Sequence, residues 1–189
     1  MEKKKLRILF IGNSHTYFND MPELVAVRAR ECGYDCEVTM IAHGGWFLSQ
    51  HVEEPDVRFN IKYGHYDYVV LQEHAHPFGP EDQFFDAVRT LNQWIRDAGS
   101  TPVIYAVWAK KDEPEKQKEM DDSHRRIAAE TGALLALVGE NWWGYMRSWP
   151  QMEMYYEDGA HASYAGSDFA AKYIWETILD DRHRRGNQE

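Results

Sequence analysis

The chain has 189 residues, within the about 100–200 typical of one domain, and the span 1–189 reads as a single domain. Hydrophobic residues make up 43% and charged residues 28%, which excludes a disordered chain, a collagen and a long coiled coil. The formal net charge of −10 argues against nucleic acid or a membrane surface as partner.

The charged start, Met1 to Arg7, leads into a short apolar run, Ile8 to Ile11. That run is too short for a secretory signal or a membrane span, so the chain reads as cytoplasmic unless a leader has been removed. Leu6–Ile11 predicts a buried strand. Asp20 offers an N-cap, Pro22 lies in the first turn and Glu23 sits at capping-box spacing. The helix they predict runs through Leu24, Val25, Val27 and Ala29 to Gly33. Cys32 and Cys36 are too few for a disulfide framework and read as reduced thiols on different elements. Cys36–Ala42 is a second strand, followed by Gly44-Gly45, and Tyr66–Leu71 a third. Pro80 opens a long helix with Phe84, Phe85, Val88, Leu91 and Ile95 on one stripe, closed by Gly99. Pro102–Trp108 is a fourth strand. Asp112 and Glu115 repeat the capping spacing for a helix ending near Gly132. Leu134–Val138 is a short fifth strand. A last helix runs from near Ser163 to about Asp181, and Arg182–Arg185 reads as a frayed, solvated end. Strands that are apolar throughout, alternating with helices, predict an α/β fold. It is a three-layer αβα sandwich, flavodoxin-like, with a five-stranded parallel sheet.

In such a sheet ligands bind beyond the carboxyl ends of the strands. Gly12-Asn13-Ser14-His15 follows the first strand, His43-Gly44-Gly45-Trp46 the second, Gln72-Glu73-His74-Ala75-His76 the third and Trp108 closes the fourth. Asp158-Gly159-Ala160-His161 precedes the last helix. A serine hydroxyl needs a base to take its proton, and the base needs a third group to orient it. Asp158 and His161 supply both on one short segment, within reach of Ser14 if the loop folds back. Singly, Ser14 is better read as a turn hydroxyl or helix cap, Asp158 as a cap and His161 as a surface histidine.

The set resembles the SGNH, or GDSL-type, hydrolase superfamily, and the resemblance covers nearly the whole chain. Ile8 to Ser14 looks like its first block, with Asn13 where many members carry Asp, and Asp158-x-x-His161 looks like its last. Gly-Asn-Ser, Leu71-Gln72-Glu73 and Ala165-Gly166 after the last block are similar to a poorly characterised branch. The resemblance implies Ser14 as nucleophile, His161 as base and then acid, and Asp158 as its orienter, with no cofactor. It implies oxyanion donors at the Ser14 N–H, helped by the helix that follows, and at a glycine N–H after the second strand. Gly45 is preferred to Gly44 there, a tight turn being the plainer role for the pair. The third block of the family carries an Asn that this chain lacks, and Gln72 is the best substitute donor.

Asn13, His15, Trp46, His74, His76 and Trp108 are candidate pocket residues. Trp46, Phe47 and Trp108 follow strand ends and could wall a substrate site, although core packing is the commoner role for a Trp. Trp142, Trp143 and Trp149 cluster near the final loop. Two competing readings stay open. His74 and His76 on an extended segment would point the same way, and with His15, His43 or Asp158 nearby they would suit a metal-dependent hydrolase. No metal is expected on the preferred reading, where these rings border a serine-hydrolase pocket. The other alternative is a catalytically silent binding module. The expected partner is a small-molecule ester with a short acyl group, such as an acylated carbohydrate.

Overall fold

A computed structural model describes residues 4–186. Residues 1–3 and 187–189, the ends of the span read as one domain, lie outside the described residues. Five strands form one parallel sheet: β1 (Lys4–Gly12), β2 (Tyr34–Ala42), β3 (Tyr68–Leu71), β4 (Thr101–Ala106) and β5 (Leu134–Leu137), ordered β2-β1-β3-β4-β5. The register sets Ile8 opposite Val38 on one side and Tyr68 on the other. Alternation sends Leu6, Ile8 and Phe10 to one face and Leu9 and Ile11 to the other. All five are fully buried, so β1 reads as an unbroken apolar run.

The helices in chain order are α1 (Ser14–Tyr17), α2 (Met21–Glu31), α3 (Leu48–Val52), α4 (Pro55–Tyr63), α5 (Glu81–Asp97), α6 (Gln117–Thr131), α7 (Val138–Ser148) and α8 (Tyr164–Gly186). The core on one face of the sheet takes its helical side chains mainly from α2, α7 and α8. The other face is covered chiefly by α3, α4, α5 and α6. This is the three-layer α/β arrangement the sequence predicts. Among the described residues no helix is long and apolar enough to cross a membrane.

Several local expectations are corrected. α3, α4 and α7 were not anticipated. α3 and α4 have five and nine residues, too few turns for a 3.6-residue period to stand out. α7 follows β5 without a break, so Val138 opens a helix instead of ending a strand. Asp20 does not cap α2: it is left-handed, φ 53° and ψ 41°, and makes no capping hydrogen bond. A capping side chain needs an extended backbone at that position. Glu23 pairs instead with Arg30 at 2.5 Å. Asp112 and Glu115 make no capping box either, because a 3-10 turn, Pro114–Lys116, leads into α6. The basic run 182–185 is the helical end of α8: Arg182 lies 4.9 Å over the Tyr34 ring, and Arg185 pairs with Asp181 at 2.7 Å. Cys32 is exposed at the end of α2, Cys36 is buried in β2, and both are free.

Trp108 and Trp142 are both fully buried, stacked at 3.8 Å and 10°. Tyr155 and Phe169 meet the Trp142 ring edge-on. The expected effect of Trp142→Ala is a loss of about 3–5 kcal/mol, because the site cannot collapse around so large a void. Urea unfolding checks it as a lower midpoint with an unchanged slope.

Candidate active site

The strand order places β1 between β2 and β3, so the chain leaves β1 toward one side and later crosses to the other. The crevice at that switch lies at the carboxyl ends of β1 and β3. Ser14 follows β1 and Gln72 follows β3. The Gln72 side-chain oxygen accepts from the Asn13 N–H at 3.0 Å and the Thr16 hydroxyl at 2.9 Å. Its amide nitrogen donates to the Glu73 carbonyl. A Cβ on Gly12 would stand 2.7 Å from that oxygen and 2.4 Å from Thr16 Oγ1, so the close approach requires glycine. Gln72 is 1% exposed, its oxygen serves the serine turn as an acceptor and one of its two amide protons goes to the Glu73 carbonyl. It holds the turn that presents Ser14.

Asn13 is equally buried and serves as a clasp instead of lining a pocket. Its oxygen accepts the His15 N–H at 3.1 Å, and its nitrogen donates to the Trp46 carbonyl at 2.9 Å. That second bond fastens the glycine turn after β2 to the serine turn after β1. The turn closes through the Trp46 N–H to the His43 carbonyl, and Gly45 takes φ 74°, a conformation most side chains avoid. Among the described residues neither the Gly44 nor the Gly45 N–H donates to a protein acceptor. The helix that follows Ser14, α1, is a single turn, and α2 begins only after a kink at Asn19 and Asp20.

The segment before α8 folds back on itself. Tyr156 N–H donates to the His161 carbonyl at 2.8 Å, and Trp108 Nε1 donates to the Ala160 carbonyl at 2.8 Å. Trp108 therefore supports this loop from the core and does not wall a pocket. Asp158 Oδ1 accepts the N–H groups of Ala160 and His161, each at 2.9 Å. Asp158 Oδ2 lies 2.5 Å from His161 Nδ1, and His161 Nε2 lies 2.8 Å from Ser14 Oγ. Partial burial pushes the Asp158 carboxyl up, but the His161 ring and the two N–H donors outweigh it and hold it down at about 2. A carboxylate, an imidazole and a hydroxyl thus stand in series, with the hydroxyl placed to give its proton to the ring.

His74 and His76 do not converge. Residues 75–78 make a tight turn instead of an extended segment, which removes the alternation the metal reading needs. His74 stacks on Phe47 at 4.4 Å and its Nδ1 contacts the Pro77 carbonyl; His76 stacks on His15 at 5.0 Å. Among the described residues no three His, Cys, Asp or Glu side chains are grouped to hold a metal ion. Trp46 is half-buried against His43, with ring centres 4.2 Å apart, and beside His51 at 5.3 Å. Trp143 is half-buried, and Trp149 is exposed. Phe18, which sequence reasoning passed over, stacks on His161 at 4.3 Å; nothing in its local pattern distinguishes it from a core residue.

Comparison with known proteins agrees with this architecture. A solved structure from Slackia heliotrinireducens, described as an SGNH hydrolase, is 30% identical with a TM-score of 0.80 over 93% of this chain and 100% of that one. The chain belongs to the SGNH hydrolases and is an enzyme of that class. More distant structures share the fold. An esterase from Pseudoalteromonas sp. is 13% identical, TM-score 0.70, over 94% of this chain and 98% of that one. An acetylxylan esterase from Geobacillus stearothermophilus, solved as a catalytic mutant, is 16% identical, TM-score 0.69, over 94% and 95%. No protein-family model and no curated protein matches the chain.

Glu73, beside Gln72, is 2% exposed and accepts the His74 N–H at 2.6 Å and the Leu48 N–H at 3.3 Å. Burial pushes its carboxyl up to about 7 against the pull of those two donors. Between the ordinary carboxylate value of 4.5 and about 7, the folded protein keeps a proton that the unfolded chain has released. Stability from this group therefore falls as pH rises through that window and levels off above it. Glu73→Gln cannot ionise and is expected to flatten this part of the profile. Chemical denaturation of both proteins from pH 4.5 to 8.5 checks it: the variant should gain relative to wild type as pH rises.

Proposed function

We propose that the protein is a serine ester hydrolase working through an acyl-enzyme on Ser14. The hydrogen-bonded series Ser14–His161–Asp158 carries this reading. Its members lie 147 residues apart at the serine–histidine step, and two bonds of 2.8 and 2.5 Å bring them into line. His161 Nε2 accepts the hydroxyl proton as Ser14 Oγ attacks the ester carbonyl, and Asp158 fixes the tautomer and steadies the imidazolium. As the tetrahedral intermediate collapses, His161 gives that proton to the leaving alcohol. A water deprotonated by the same ring then releases the acid. The oxyanion would meet the Ser14 N–H, which as the first of its helix has no intrahelical acceptor, and the Gly45 N–H, with Gly44 the alternative. A single such donor typically contributes about 3 kcal/mol to the barrier.

The substrate we infer is a small ester with a short acyl group, with O-acetylated carbohydrate the leading class. The bulk of Trp46 and Phe47, half-buried directly after the glycine turn, supports a small acyl pocket. Tyr156 is 49% exposed and lies edge-on to Phe18 at 5.7 Å, so a sugar could lay a face on it. The acetylxylan esterase that shares this fold is consistent with such a substrate.

Ser14→Ala is expected to lower ester hydrolysis by about 1,000-fold or more while leaving the far-UV spectrum and melting temperature within the normal range of a surface change. A fluorophosphonate should label Ser14 in the wild type. The Pseudoalteromonas esterase is described as inhibited by monoethylphosphonate, which makes this class of probe a sensible choice. Activity of Ser14→Ala within a few-fold of wild type would remove the assignment. Across p-nitrophenyl esters, kcat/KM should peak at acetyl or propionyl. A steady rise to octanoyl, at about 0.8 kcal/mol per methylene, would instead reveal an open apolar groove.

A further inference from the structure

We propose that His15 is a positioning residue for His161: its ring and that of Phe18 clamp the two faces of the base. The inference rests on the reading of His161 as the general base. The two hydrogen bonds of His161, to Asp158 and to Ser14, run through opposite sides of the ring in its own plane. They hold the ring at its edge and leave its two faces without a hydrogen-bonded restraint. The faces supply the missing constraint. Phe18 stacks at 4.3 Å and 15°, and His15 at 4.9 Å and 27°. Among the described residues Phe18 and His15 form no ring pair with each other, as expected of neighbours on opposite faces.

Each clamp is itself held. Asn19 donates to the Ala162 carbonyl at 3.1 Å and to Ser167 Oγ at 2.9 Å, tying the turn after Phe18 to the segment after His161. Ser167 Oγ donates in turn to the Phe18 carbonyl at 3.3 Å. His15 is 8% exposed and backed by His76 at 5.0 Å and Trp108 at 5.5 Å. Its Nε2 and both ring nitrogens of His76 are buried and make no hydrogen bond to the protein, and the His15 ring also meets the Ala160 backbone. The contact of this pair with the base is through the ring faces.

The clamp also has to be uncharged. When His161 accepts the serine proton it becomes a cation, and an aromatic face attracts a cation whereas a second imidazolium would repel it. Burial holds His15 well below the usual histidine range, with His76 and His161 adding to the effect. Burial also pushes His76 down to about 4, with Lys110 and His74 beside it acting the same way and Glu113 opposing. Asp158, His74, Lys110 and Glu113 face this column, and burial favours the neutral form of the two rings between them.

The experiment compares His15→Phe, which keeps an aromatic face and cannot titrate, with His15→Leu, which fills space without a ring. Both are read by kcat, KM, the pH profile of kcat/KM and the rate of fluorophosphonate labelling, with melting temperature as the fold control. A base held loosely loses about 10- to 100-fold in rate. His15→Leu should show that loss in kcat and in labelling with KM little changed. His15→Phe should recover to within a few-fold of wild type with the acid limb unmoved. A folded His15→Leu as fast as wild type, or a folded His15→Phe as slow as His15→Leu, overturns the proposal. Should His15→Leu not fold, His15→Phe decides it: a ten-fold loss or a shifted acid limb refutes it, and neither supports it. Failure of the underlying catalytic reading looks different, since wild type itself would then escape the probe and Ser14→Ala would stay active.

Discussion

The side-chain oxygen of Gln72 joins the ends of two neighbouring strands where the sheet's own hydrogen bonds stop. It receives the Asn13 N–H and the Thr16 hydroxyl, and so fixes the turn on which Ser14 stands to the end of β3. All three side chains are buried, so losing the acceptor would strand two donors away from water. Asn13 extends the same constraint in the other direction by holding the glycine turn after β2. The serine hydroxyl and the Gly44-Gly45 turn therefore share one frame. The remaining requirement is that the loop before α8 bring an imidazole to the serine, which the Trp108 and Tyr156 bonds accomplish.

Burial governs the electrostatics around this frame. Glu73, His15, His51 and His76 are titratable groups pressed toward their neutral forms by desolvation. Asp158 goes the other way because three donors face it. Asp158 is thus an ionised carboxylate beside two rings, His15 and His76, whose burial favours the neutral form, and it is the carboxylate bonded to His161 when that ring takes up a proton. Exposed ion pairs such as Arg89–Glu130 and Lys111–Glu153 are neutral as pairs, so the chain's net charge of −10 comes from the carboxylates in excess of its cations.

The sheet was legible because buried parallel strands are apolar on both faces, and each of the five stands out between polar segments. The short helices were not. α3 has too few turns to display a period, and α7 begins where β5 ends with no turn residue between them. Asp20 and Asp112 fit the capping pattern but failed as caps because backbone geometry, set by the turns that precede α2 and α6, decides whether a side chain can reach. His74 and His76 misled in the same manner: alternation belongs to extended chain, and their segment is a turn.

The sequence by itself determined the strand order along the chain, and placed Ser14, Asp158 and His161 after β1 and before α8, because local pattern and spacing are properties of the chain. Tertiary structure alone decided what those residues meet. Gln72 accepts hydrogen bonds from the serine turn, Trp108 is a buried prop for the histidine loop, and Phe18 and His15 stack on His161. Each of these depends on contacts between residues distant in sequence, and the direction a side chain takes there is set by packing that no single segment encodes.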